Sequence, residues 1–313
     1  MHARWISHGF ITALFALVST AAGAQSAPPV PIIKEGKTVK VSQHVYVIPD
    51  EHVGMVPNVG IIVGTKATLV IDPGMGNRNG EIVLREVAKV SRNSELYVAN
   101  THFHPEHTTG DGAFPQSAKI VRAAAQQQDV DEMGMAWVDN FRKRSPEIGS
   151  LLEGATFRKP AQTFDKTTTL DLGGVRVRMM WLGPGHTRGD TAFFVEEDRV
   201  LFSGDLAMRN IFPAFATPQS SARTWLTALD ALDKLGATRV VPAHGDLTDA
   251  TVMGAYRDFI TALQSRVGAL KREGKTDTEA AMLATNEFTP KYSGWAQPIR
   301  IQAAARAMYK ESN

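Results

Sequence analysis

The chain has 313 residues, 43% hydrophobic and 21% charged, with a formal net charge of +2 and no cysteine. That composition is ordinary for a soluble globular protein long enough to bury a core. With no basic run, nucleic acid and anionic membrane find no support as partners, and the missing cysteines exclude disulfides, thiol nucleophiles and thiolate metal ligands.

Met1 to Arg4 is a short basic start, Gly9 to Ala22 an apolar run, and Ala22-Gly23-Ala24 a small-x-small cleavage site. These are the three parts of a secretory signal peptide, and the run is too short to make a good spanning helix. The expectation is a signal over 1–24, cleavage after Ala24, and a periplasmic or secreted product with no membrane attachment. Residues 25–38, with Pro28, Pro29 and Pro31, read as a flexible arm. From residue 39 to 313 a single domain is expected.

Short β-like runs open it, at Val39–Val41, Val45–Ile48, Gly60–Val63 and Thr68–Ile71, the last broken by Asp72-Pro73-Gly74. Residues 80–91 carry apolar positions at helical spacing, and Glu95–Asn100 reads as a buried strand. Straight after it comes His102-Phe103-His104-Pro105-Glu106-His107, three imidazoles and a carboxylate on one loop. Such a nitrogen and oxygen donor set suits zinc or a similar divalent ion. A strand at 119–121 and a helix over 123–143 follow, with Val130, Met133, Trp137 and Phe141 on one side. The segment 144–163 is a candidate lid or wall, and Trp137 and Trp295 read as packing. Val175, Val177, Met179 and Trp181 alternate with Arg176 and Arg178, the mark of a half-exposed strand. A hairpin (191–195 and 199–203), an amphipathic helix (221–235) and a strand (238–241) come next. Three helices near 248–272, 277–287 and 298–311 close the chain, the second with a capping-box signal in Thr276 and Glu279.

Three more polar landmarks sit at strand-to-loop boundaries: Gly185-His186, Gly204-Asp205 and Ala243-His244. Side chains gathered from several strand ends are how open α/β sheets build a site. Of nine histidines, two fall in the signal and five in these motifs, leaving only His44 and His52. With this ordered set the chain resembles the metallo-β-lactamase-fold hydrolase superfamily: a strand ending in Asp72, then His-x-His-x-Glu-His, then His186, Asp205 and His244. The resemblance covers roughly residues 45–250 and implies an α/β protein, a four-layer αββα sandwich with its metal site at one edge between the sheets.

Carried over residue by residue, the resemblance implies a first ion on His102, His104 and His186. A second would sit on Glu106, His107 and His244, with Asp205 bridging and Asp72 bracing the loop without ligating. The family pattern has Asp where this chain has Glu106, one methylene longer, which shifts the second site or frees a base. Asp205 aligns the chain with the bridging-Asp members, such as glyoxalase-II and lactonase-like hydrolases, more than with zinc β-lactamases. The implied cofactors are two divalent ions, zinc first, iron or manganese as alternatives. Two cations about 3.5–4 Å apart lower the pKa of a shared water, with Glu106 and Asp205 as the catalytic carboxylates. The implied function is hydrolysis of a small lactone, thioester, ester or amide. β-Lactam cleavage, iron-dependent sulfur or oxygen chemistry, and a non-enzymatic metal-binding role are the alternatives. Arg209 is the candidate for holding a substrate carboxylate, and the loop 49–58, with His52, a candidate pocket wall.

Overall fold

Residues 29–312 are described in the computed structural model; the expected signal over 1–24 lies outside the described residues. The first sheet opens with β1 (Val39–Lys40), β2 (Val45–Ile48), β3 (Val59–Val63) and β4 (Ala67–Ile71), each antiparallel to the last. Helix α1 (Gly76–Val90) crosses over to β5 (Glu95–Ala99), which lies parallel to β4. A single helical turn α2 (Pro105–Thr108) and a 3-10 turn (Thr109–Ala113) lead to β6 (Lys119–Ala123). Helix α3 (Ala124–Asp129), a π-helical turn (Val130–Gly134), α4 (Met135–Arg142) and α5 (Pro146–Leu151) then precede β7 (Gln162–Phe164), which closes the seven-stranded sheet.

The second sheet holds β8 (Thr167–Asp171), β9 (Arg176–Trp181), β10 (Thr191–Val195) and β11 (Val200–Gly204), antiparallel in turn. Helix α6 (Ala222–Asp233) crosses over to β12 (Arg239–Pro242), parallel to β11 at the edge. Helices α7 (Thr251–Arg272), α8 (Asp277–Lys291) and α9 (Arg300–Glu311) finish the chain. None of the described helices is long and apolar enough to cross a membrane.

Strand alternation sorts the apolar side chains into layers. Ile62, Leu69 and Ile71 of the first sheet meet Val177, Met179, Phe193 and Phe202 of the second in the central core. Ile61 and Val70 point the other way, onto Ile82, Val83 and Val87 of α1. On the far side Met180, Phe194 and Leu201 are covered by Trp225 and Leu229 of α6 and by Tyr256, Phe259 and Leu263 of α7. Each such side chain contributes about 1.5–3 kcal/mol of transfer free energy. The architecture is helix, sheet, sheet, helix, the αββα sandwich.

Several elements differ from expectation. Residues 29–38, read as part of a loose arm, are fastened along α1. Ile33 is buried, its N–H donates to Asn79 Oδ1 (2.8 Å), and Gly36 N–H donates to Glu86 Oε1 (2.8 Å). The prolines exclude regular structure there, but Ile33 fills the layer between α1 and the first sheet. Strand β8 has no apolar alternation to announce it, being mostly threonine with its side chains half-exposed or exposed. The helix expected over 123–143 is interrupted by the π turn, a feature often found beside functional sites. The capping box of α8 forms as expected, with Thr276 N–H on Glu279 Oε2 (2.8 Å) and Glu279 N–H on Thr276 Oγ1 (3.2 Å).

Candidate metal centre

The centre forms where the C-terminal ends of β4, β5, β11 and β12 converge with the loop after β9. Asp72 leaves β4 at a positive φ of 55°, which aspartate tolerates better than most residues. Its Oδ1 accepts the Thr101 N–H (2.7 Å), and its Oδ2 accepts Thr101 Oγ1 (2.8 Å) and His107 Nδ1 (3.0 Å). The histidine loop is tied from below as well. Asn100 Nδ2 donates to His107 O (2.8 Å), and Thr108 Oγ1 to His104 O (2.9 Å). Pro105 opens α2, where its missing N–H costs nothing. Gly110 lets this loop lie against the Asp72 turn, because a Cβ there would stand 2.4 Å from Pro73 O.

The hydrogen bonds dictate the tautomers. His186 Nδ1 lies 2.6 Å from Ala214 O and His244 Nδ1 lies 2.8 Å from Val56 O, so each must carry its proton there. His107 Nδ1 donates to Asp72. Thr101 has spent its hydroxyl proton on Asp72, so it accepts from His102 Nδ1 at 3.1 Å. The Nδ1 proton is thereby fixed in all four rings, which makes Nε2 of each neutral ring the atom left to ligate.

Those nitrogens converge. His102 Nε2 is 3.0 Å and His186 Nε2 3.4 Å from His104 Nδ1. Three nitrogens facing each other cannot all be satisfied by mutual hydrogen bonds when two of them carry no proton on that side; one cation satisfies all three. Asp205, placed by Gly204 at φ 59°, points Oδ2 at His186 Nε2 (3.5 Å) and Oδ1 at His244 Nε2 (4.0 Å). His102, His107 and Asp205 form one grouping of metal-donor size, and Glu106, His107 and His244 another. His107 Nε2, Glu106 Oε2 and Asp205 Oδ1 are buried with no hydrogen-bond partner, a costly arrangement unless a cation takes them. The residues present therefore fit a metal centre able to hold divalent ions.

Electrostatics agree with that donor set. Burial pushes His102 and His104 well below the ordinary imidazole range, as does the field of the neighbouring histidines. Burial would raise the Asp205 carboxyl, but the fields of His186, His244 and His107 hold it at about 2. For His107 burial opposes the charge and Asp72 overrides it, pushing the ring up to about 9. A metal at its Nε2 has to displace that proton.

Of the residues singled out from sequence, His102, His104, Glu106, His107, His186, Asp205 and His244 are brought together, with Asp72 behind them. Arg209 is not among them. It is exposed and lines a separate hollow with Arg239, Thr248 and Asp249, because the chain turns outward after Leu206 and Ala207 are drawn into the core. The open side of the centre is a cleft of about 510 Å³ lined by Glu106, His244, His52, Gln297, Arg144 and Arg300. Part of the 49–58 loop forms its wall. Trp137 stacks on the His104 ring (centroids 4.1 Å apart, planes at 25°), so its packing partner is a would-be ligand.

Three bracing residues had no sequence signal. Asp190 accepts Thr187 N–H (2.9 Å), Thr187 Oγ1 (2.6 Å) and Gly185 N–H (3.1 Å), holding the loop of His186. Asn58 Nδ2 donates to Pro242 O (2.9 Å) and Gly245 O (2.8 Å), and Asp50 Oδ2 accepts Gly245 N–H (2.7 Å), holding the loop of His244. Each is a single polar residue without a motif around it.

Among curated proteins, the chain is similar to a linear primary-alkylsulfatase of Pseudomonas sp., 23% identical over 290 residues, 80% of this chain and 54% of that protein. It is also similar to a hydroxyacylglutathione hydrolase of Methylococcus capsulatus, 28% identical over 240 residues, 72% of this chain and 78% of that one. Among solved structures, a sec-alkylsulfatase from Pseudomonas sp. superposes with a TM-score of 0.68 at 17% identity, covering 88% of this chain and 50% of that one. A metallo-beta-lactamase family protein from Thermus thermophilus gives 0.61 at 18% identity, covering 86% and 93%. The chain spans about half the length of the alkylsulfatases it matches. At these identities the structural likenesses speak for the fold, while the family itself rests on sequence: residues 53–244 match the family model throughout, and the chain belongs to the metallo-beta-lactamase superfamily.

Proposed function

We propose that the chain is an exported hydrolase that uses two divalent ions, zinc first among them, to cleave a small lactone, thioester, ester or amide. The observation that carries this is the ring of inward-facing Nε2 lone pairs and unpartnered carboxylate oxygens at the floor of an open cleft. His102, His104 and His186 would hold one ion, Glu106, His107 and His244 the other, and Asp205 would span them. When bound, such ions supply Lewis acidity toward a substrate carbonyl and a water acidified into the neutral range.

The remaining work falls to the chain. Asp205, held ionised, fixes the spacing of the two ligand groups. Glu106 lines the cleft, where it would orient the attacking water and accept its proton. Export is supported by the basic start, apolar run and Ala22-Gly23-Ala24 of the N-terminus. A second reading, hydrolysis of an alkyl sulfate ester, is favoured by the alkylsulfatase likenesses.

Metal analysis of the full chain expressed with its N-terminus, with hydrolysis assays on a lactone, a thioester, an alkyl sulfate and a β-lactam, tests both readings. Two zinc ions per chain with chelator-sensitive turnover of the lactone or thioester supports the first. Turnover of the alkyl sulfate alone moves the case to the second. One iron per chain with no hydrolysis overturns both.

A further inference from the structure

Two arginines, Arg144 and Arg300, line the cleft beside the centre. Arg144 follows α4 and holds its guanidinium over the Phe141 ring, with the central carbon 3.6 Å from the ring centroid. Its Nη1 also makes a weak contact with Met55 Sδ (3.4 Å). Arg300, the first residue of α9, also lines the cleft, and its Nη1 donates to Phe212 O (3.1 Å). Among the described residues neither is ion-paired, whereas Arg142, Arg188, Arg257 and Arg306 each find a carboxylate. Two acids share the cleft, Asp50 and Glu106. Asp50 accepts the N–H groups of His52 (3.0 Å) and Gly245 (2.7 Å), and Glu106 belongs to the donor cluster.

Each guanidinium is thus anchored through one part, by a ring or a carbonyl, and leaves the rest of its fork free. Such a fork matches the paired oxygens of a carboxylate or sulfonate. Side chains held in place in advance lose less entropy when they bind. Both also reach the centre electrostatically. Beneath the larger effect of burial, the fields of Arg144 and Arg300 both act on His104, and that of Arg300 acts on Asp205.

We infer that Arg144 and Arg300 together hold a terminal oxyanion of the substrate, a carboxylate or sulfonate remote from the bond that is cleaved at Glu106 and His244. The inference rests on the hydrolase reading and narrows it to acidic substrates. The two arginines are specificity residues, both lining the cleft beside Glu106 and His244.

Two measurements on the metal-loaded chain test it. The first compares the butyrate and hemiglutarate esters of p-nitrophenol, which share a leaving group and differ in a terminal carboxylate. The wild type is expected to prefer the hemiglutarate by tenfold or more in kcat/KM. Arg144→Gln and Arg300→Gln should each shrink that preference by about tenfold, mainly through KM. Arg300→Lys, which keeps the charge and a donor to Phe212 O, should recover part of it. The second is calorimetric titration with butanesulfonate, a poor metal ligand, which requires no turnover. Its affinity should fall by about tenfold in each glutamine variant and with salt in the wild type.

Equal handling of the two esters by the wild type overturns the inference and leaves the hydrolase reading standing. So does a parallel loss on both esters in the variants. Turnover of neither ester with arginine-dependent sulfonate binding supports the anion site while counting against the hydrolase. Absence of sulfonate binding overturns the site in any case.

Discussion

Where His102, His104 and His186 meet, the residues are 1%, 4% and 2% exposed. Where Glu106, His107 and His244 meet, His107 is sealed but the His244 side chain is 17% exposed and Glu106 lines the cleft. The inner group draws its ligands from two loops, each braced by a buried aspartate, Asp72 for one and Asp190 for the other. The outer group depends on a glutamate one methylene longer than the family pattern and on a histidine at the solvent margin. The inner donors are sealed from solvent, and the outer group opens on the cleft through Glu106 and His244.

Removing one histidine from each end should break this asymmetry most visibly. His186→Ala takes a nitrogen from the inner group and frees Asp205 Oδ2, so hydrolysis should vanish and the chain should bind at most one ion weakly. His244→Ala should retain a tightly held inner ion, about one per chain by elemental analysis, with turnover reduced by roughly 10²-fold or more. If His244→Ala releases both ions, the two ends are not independent and the comparison fails.

How much of this could be read from the sequence depends on how the signal is carried. The donor cluster was legible because the histidines and acids fall at strand ends in the order of the family pattern, and those seven residues do come together. Strand β9 was legible because Val177 and Met179 alternate with Arg176 and Arg178, while the four-layer stacking was implied by the family resemblance. What escaped has its meaning only in three dimensions. Arg209 follows Asp205 closely in sequence, yet the turn after β11 carries it to another face. Arg300 reaches the cleft from the first residue of a helix that reads as merely amphipathic. Asn58 and Asp50 bind backbone groups of a loop that only the fold brings beside them, whereas Asp190 ties its own loop from three and five residues away. Trp137 does pack, as its helical spacing implied, but the π turn sets which surface it packs on.

A subtler test replaces Asp72 by asparagine. The substitution keeps one acceptor oxygen but turns an N–H₂ toward donors that need an acceptor, either Thr101 or His107 Nδ1. Bracing residues of this kind typically govern 10–100-fold in metal affinity. Because Asp72 contacts His107 directly and His102 only through Thr101, the outer ion should weaken most. A stepwise zinc titration against a competing chelator should show the weaker step moving by about 10–100-fold and the tighter one by less. The reverse order would mean that the Thr101 link, and not His107, carries the effect of Asp72.

The smallest expected effect belongs to Trp137, and it sharpens the comparison because it touches the inner end alone. Its indole lies nearly parallel to His104 and also meets Phe103 edge-on at 5.6 Å. Aromatic pairs of this kind contribute about 0.5–1.5 kcal/mol beyond their buried area, so Trp137→Leu should loosen His104 without removing a ligand atom. His104 Nδ1 is the nitrogen offered to the ion, and its Nε2 is buried with no partner. Only packing therefore restrains this ring on that side, unlike His186, which a carbonyl also fixes. The variant should bind the inner ion at most about tenfold more weakly, a ceiling set by the same stacking energy, and should leave the outer step of the titration where it was. A larger fall, or one shared by both steps, would mean that the α4 wall supports the whole histidine loop rather than one ring of it.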